Sequence, residues 1–121
     1  MTGIYPDEYI RTVLETFAAL GEPNRLRIVE LLRSGAHPVG DIGAKLDMHQ
    51  PQVSKHLRVL REAGLVHVEV RAQRRLYALK PEPLRELSTW LERFREIWDA
   101  RFDRLDDYLE QMKKSRSGKK K

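Results

Sequence analysis

A chain of 121 residues, 40% hydrophobic and 34% charged, has room for one modest core and not for two ordinary ones. It has no cysteine, which excludes disulfides, thiolate metal ligands and thiol redox sensing, and no apolar run approaches the roughly 18 residues of a membrane span. The net charge of +5 lies in the last nine residues, KKSRSGKKK, with six positive charges and no negative ones, so the residues before them sum to minus one.

In chain order, Tyr9, Ile10, Val13, Leu14, Phe17 and Leu20 recur at helical spacing and predict a first helix over 6–20. Pro6 suits its first turn, Asp7 and Glu8 suit the positive end of its dipole, and Gly21 ends it. Pro23 restarts a helix through Leu26, Val29 and Leu32, which stops at Ser34 and Gly35. DIGAKLDM then offers Ile42 and Leu46 one turn apart, and Gly43 between them marks a close helix crossing. His49 to Ala63 predicts the next helix, with Val53, Leu57 and Leu60 as its buried stripe and Gly64 as its stop. Two short helices joined by a tight polar turn over about 41–64 read as a helix-turn-helix.

Beyond it, LVHVEV places Val66, Val68 and Val70 on one face and His67 and Glu69 on the other, and RLYALK returns as a second strand. This predicts a β-hairpin over about 65–80. Its tip lacks glycine, so a loop of three or more residues is expected rather than a two-residue turn. From Pro83 to Met112 a single long helix is predicted by Leu84, Leu87, Leu91, Phe94, Trp98, Phe102, Leu105, Leu109 and Met112, with Trp90, Ile97 and Tyr108 widening the stripe. At about 1.5 Å per residue such a helix exceeds the width of a domain this size, so part of its apolar face must meet another surface. Residues 113–121 are expected to be a disordered basic tail.

Charge divides the chain as well: residues 1–40 sum to minus one, 41–80 to plus four and 81–112 to minus four. The basic middle coincides with the helix-turn-helix and the hairpin. Its sequence carries a family signature in LGEPNRLRIVELL, QPQVSKHL, LREAGLV and the basic hairpin ending YAL, in that order from Leu20 to Leu79. The chain thus resembles the winged helix-turn-helix repressors of the ArsR/SmtB type. The resemblance implies a mainly α fold with a small β-hairpin wing and long N- and C-terminal dimerisation helices, acting on double-stranded DNA as a cytoplasmic homodimer.

A helix that buries Val53, Leu57 and Leu60 turns Pro51, Lys55 and Arg58 outward and sets Gln52, Ser54 and His56 on its flanks. Glutamine can bond adenine in two places, serine can donate to a base or a phosphate, and lysine and arginine suit phosphates or guanine. The expected DNA-contacting residues are Gln50, Gln52, Ser54, Lys55, His56 and Arg58 on the helix, and Arg71, Gln73, Arg74 and Arg75 on the hairpin, with His56 expected at a phosphate or in a contact within its own chain rather than at a base. The expected dimer interface is Ile10, Val13, Phe17, Leu87, Trp90, Leu91, Phe94, Trp98, Phe102, Leu105 and Leu109. His49 stands where the family has serine and is a poorer N-cap, and Ala72 and Gln73 replace the usual acidic-glycine tip.

Many members of the family sense metals through cysteines in the third helix or through Asp and His pairs in the last. PVGDIGAKL has no cysteine, and the last helix carries Asp99, Asp103, Asp106, Asp107 and Glu110 without histidine. Carboxylates alone make a poor transition-metal site, so an acidic face paired with Arg101 and Arg104 is expected, with no metal and no cofactor. His37 and His67 are read as a loop and a strand residue. The aromatic set from Tyr9 to Phe102 suits a dimer core better than an effector pocket, and no inducer is identified. No glycine-rich phosphate loop or oriented nucleophile is present, so an enzyme is not expected. The alternatives are a winged helix used to bind a protein, and architectural DNA binding through the basic tail.

Overall fold

The computed structural model describes residues 7–119, with side chains through Ser115. Its elements are α1 (Asp7–Leu20), α2 (Pro23–Leu32), α3 (Val39–Leu46), α4 (Gln50–Glu62), β1 (Val66–Arg71), β2 (Arg74–Leu79), α5 (Pro81–Glu92) and α6 (Arg95–Lys119). Two compact units share the chain, one reaching to Ser88 and one starting at Thr89. The fold is a winged helix-turn-helix. Pro6, expected in the first turn, lies outside the described residues. Among the described residues no helix is long and apolar enough to cross a membrane.

In the first unit α2, α3 and α4 converge on a core of Ile28, Val29, Leu32, Ile42, Val53, Leu57 and Leu60, joined by Ala19, Leu65 and Val66. The stripe anticipated for α4 is fully buried, each of its three residues at 1% exposure or less. Thr16 is also fully buried, and its hydroxyl donates to the Thr12 carbonyl at 2.9 Å, so its burial costs no unmet hydrogen bond. Tyr9 ties α1 to α5 by donating to the Glu86 carbonyl at 3.3 Å. Val13, expected at a dimer interface, is 4% exposed and is already used inside its own chain. It stands four residues before Phe17 on the face of α1 that also buries Thr16.

Helix ends follow local chemistry. α4 closes with a Schellman motif: Leu65 N–H donates to Leu60 at 2.9 Å and Gly64 N–H to Arg61 at 3.0 Å, with Gly64 at φ +79°. α3 ends at Asp47 in the left-handed region, φ 54°, a conformation that aspartate tolerates better than most residues.

The strands pair antiparallel from Val66↔Leu79 to Arg71↔Arg74, leaving Ala72 and Gln73 as a two-residue turn. The expected longer loop is therefore corrected. Ala72 takes φ 56°, at a cost of roughly 1–2 kcal/mol that glycine would avoid. Along β1 the inward face runs from Val66, 1% exposed, to Val70, 70% exposed, so the hairpin leaves the core as it approaches its tip. His37, read from sequence as a loop residue, forms a bridge to β2: its N–H donates to Tyr77 at 3.0 Å and its carbonyl accepts from Tyr77 at 2.8 Å.

The single last helix is corrected, and of the residues expected as a disordered tail, 113–119 continue as helix while 120–121 lie outside the described residues. The helix breaks at Arg93 and Phe94, whose N–H groups donate to Trp90 and Leu91, three residues back, instead of four. The turn is bridged by the Trp90 and Phe94 rings, 4.9 Å apart, and by Arg95 donating to Glu92 at 2.7 Å. That hydrogen bond raises the Arg95 pKa further. No proline or glycine marks the break in the sequence. α6 in turn runs through the basic segment to Lys119. Lysine and arginine are good helix formers and are favoured at the negative end of the helix dipole.

Candidate nucleic-acid interface

α4 presents Pro51, Ser54, Lys55 and Arg58 along one shallow groove of about 410 Å³. Gln50 and Gln52 are exposed beside them on the first turn. This face follows from burying Val53, Leu57 and Leu60: at 3.6 residues per turn the opposite side must point to solvent. His49 makes no side-chain cap, so the N–H groups of Gln50 and Gln52 have no partner inside the helix. The start of α4 thus couples free donors to the positive end of a helix dipole. A second hollow of about 340 Å³ adjoins it, lined among others by Gly40, Ala44, Asp47, His49 and Gln50.

The hairpin adds Arg71, Gln73, Arg74 and Arg75, all exposed. Arg71 is not free. It donates to Glu69 at 2.8 Å, and the other oxygen of Glu69 lies 3.2 Å from His67 Nε2. These three residues alternate along β1 and share one face of the strand. Glu69 was not singled out from the sequence, although its place between His67 and Arg71, two residues from each, was readable.

Of the two contacts expected for His56, a phosphate or a group of its own chain, the structure shows the second. Its side chain is only 12% exposed and turns toward Glu22, Nδ1 to Oε2 at 3.6 Å, with Nδ1 buried and without a hydrogen-bond partner among the described residues. It stands three residues after Val53 and four before Leu60, which places it at the edge of the buried stripe and away from the groove. Glu22 caps α2 by accepting from Arg25 N–H at 2.8 Å, while Arg25 Nε donates to Ala19 at 2.7 Å and so closes the end of α1. Glu22 therefore links the start of α2 to the underside of α4. We expect Glu22→Ala to cost about 1 kcal/mol, a fall in melting temperature of about 3–6 °C. An unchanged melting curve would show that the cap contributes nothing.

The expected dimer-interface residues are distributed over both units. Ile10, Leu87, Trp90 and Phe94 are half-buried, while Phe17 and Leu91 are 42% and 48% exposed. Trp98, Phe102, Leu105 and Leu109 are 46–60% exposed. The acidic side chains of α6 pair differently from expectation. Asp99 lies 3.7 Å from Arg95, and Arg104 donates to the Ala100 carbonyl at 3.4 Å. Among the described residues no three His, Asp or Glu side chains converge as a metal site.

Residues 20–69 match the family described as a helix-turn-helix domain. The chain is 42% identical over 76 residues to HTH-type transcriptional regulator Rv2034 of Mycobacterium tuberculosis, covering 63% of this chain and 71% of that protein. It is 30% identical over 78 residues to transcriptional repressor SdpR of Bacillus subtilis, covering 64% of this chain and 87% of that one. Among solved structures, a possible transcriptional regulator for arsenical resistance is 36% identical with a TM-score of 0.59, covering 66% of this chain and 83% of the other. The segment matched by the family model holds α2, α3, α4 and the start of β1, and the relatives are regulators rather than enzymes. The chain belongs to the ArsR/SmtB family of winged helix-turn-helix transcriptional regulators.

Proposed function

We propose that the protein is a cytoplasmic, homodimeric repressor that binds an inverted-repeat operator in double-stranded DNA without a metal or thiol signal. The observation that carries this reading is the outward face of α4, where Ser54, Lys55 and Arg58 line one groove above a fully buried stripe. A helix of 13 residues fits the major groove, and these side chains suit base edges and phosphates. Arg74 and Arg75, exposed at the start of β2, suit phosphates or a minor groove. Two copies related by a twofold axis would present α4 about one DNA turn apart, roughly 34 Å. The lack of cysteine and the histidine-free α6 support a regulator that responds to neither thiol chemistry nor transition metals.

The test is a titration of labelled duplex at several salt concentrations. Log affinity should fall linearly with log salt, with a slope of about −0.9 for each phosphate neutralised. A flat plot would remove the DNA reading and favour a winged helix used to hold another protein.

A further inference from the structure

Between Glu62 and Glu82 the sequence holds a single acid, Glu69, in a stretch that also carries Arg71, Arg74, Arg75 and Lys80. The register of the hairpin sets Arg71 directly opposite Arg74 across the two-residue turn, so two like charges share one face and repel. Glu69 is the next residue of β1 on that face, opposite Leu76. Leu76 is 7% exposed and the Glu69 side chain 33%, which puts the carboxylate at the margin of the covered part of the hairpin, with the open turn beyond it. One of its oxygens accepts from Arg71 at 2.8 Å, and the other lies 3.2 Å from His67 Nε2. An ionised carboxylate can only accept, so Nε2 carries the hydrogen, and the group is held from both sides. Among the described residues Arg74 and Arg75 have no ion pair, so Arg71 alone of the hairpin's three arginines is held by an acid.

We infer that Glu69 is a positioning residue that holds the Arg71 guanidinium along the strand and off the DNA backbone, and so limits the sequence-independent affinity of the hairpin. This rests on the DNA reading proposed above and adds a restraint to it. Contacts to phosphate carry no base information, so a released Arg71 would tighten binding to every sequence alike. An isolated exposed ion pair would be too weak to prevent that. This one differs in three respects. Its carboxylate is two-thirds covered, which reduces screening by salt. His67 orients it, so little is lost in fixing its rotamer. It also offsets the repulsion between Arg71 and Arg74, a gain that disappears when Arg71 swings away. The hairpin therefore offers DNA two arginines and keeps the third in check, and the protein is retained less firmly by DNA at large.

Glu69→Gln keeps the shape of the side chain and removes its charge. The full chain, its Glu69→Gln and Arg71→Ala variants and the double variant are titrated against a labelled duplex of scrambled sequence at several salt concentrations. Glu69→Gln should bind about tenfold more tightly than the parent at about 0.1 M salt, with a salt slope steeper by about 0.9 for each arginine released. Arg71→Ala should change affinity by less than about twofold in the parent and lower it about tenfold in the Glu69→Gln chain, because only there is the guanidinium on phosphate. A gain that survives in full in the double variant would overturn the inference, since loss of a negative charge near DNA would then account for it without Arg71. Affinity and slope at or below the parent's in a folded Glu69→Gln protein would also overturn it, while salt-dependent binding by the parent left the DNA reading standing. Failure of every chain, the parent included, to bind duplex would end the DNA reading and this inference with it.

Discussion

Replacing Lys55 and Arg58 together by alanine should lower affinity for the operator about a hundredfold or more while leaving the melting temperature nearly unchanged. Both side chains are exposed and line the α4 groove, and exposed substitutions away from caps and special backbone usually change stability by less than about 0.5 kcal/mol. A specific arginine contact to a base contributes on the order of 1–3 kcal/mol, and a homodimer loses it twice. The salt slope should also flatten by about two, since each protomer gives up at least one phosphate contact. Arg71→Ala should have a smaller effect, because Glu69 already holds that guanidinium at 2.8 Å and offsets part of its charge. Equal affinity for the parent and the double variant, both folded, would place the DNA surface elsewhere on the chain.

The second large effect is expected at Gly43, which reports on how the reading helix is set. A β-carbon there would lie 2.8 Å from the Met48 carbonyl oxygen, a backbone atom that cannot rotate away. The Gly43 carbonyl in turn accepts from Met48 N–H at 2.9 Å. Gly43→Ala must therefore push the turn that joins α3 to α4, and with it the first turn of α4. We expect a loss of about 1–3 kcal/mol, as for other overpacked sites. Operator affinity should fall further than the loss of folded protein explains. Gly40→Ala is the control: nothing lies within 4 Å of its added methyl, so this variant should be as stable as the parent or slightly more so. Identical melting of Gly43→Ala and the parent would mean that the turn yields freely.

What could be read in advance differs from element to element. The α4 stripe, its glycine stop and its outward face were legible because each depends on periodicity or on a local backbone requirement. Gly43 was legible for the same reason, as a small residue at a helix crossing. The break at Arg93 and Phe94 was not, since the apolar spacing continues across it and no proline or glycine signals it. The helical basic segment was obscured because a run of like charge suggests disorder, whereas the same residues extend a helix already nucleated by the turns before them. The two-residue hairpin turn was missed because Ala72 accepts a left-handed φ that a glycine would normally take. The partner of His56 was not legible for a different reason. That partner, Glu22, caps α2, and only the packing of α2 against α4 brings the two within 3.6 Å.

The central claim is that two α4 helices read DNA sequence, and it is tested most directly by sequencing the duplexes that the protein retains from a random pool. The retained molecules should share two twofold-related half-sites with centres about 10 base pairs apart, and the Lys55→Ala, Arg58→Ala protein should lose that enrichment. A retained pool with no shared sequence, from a protein that still binds duplex, would contradict the account.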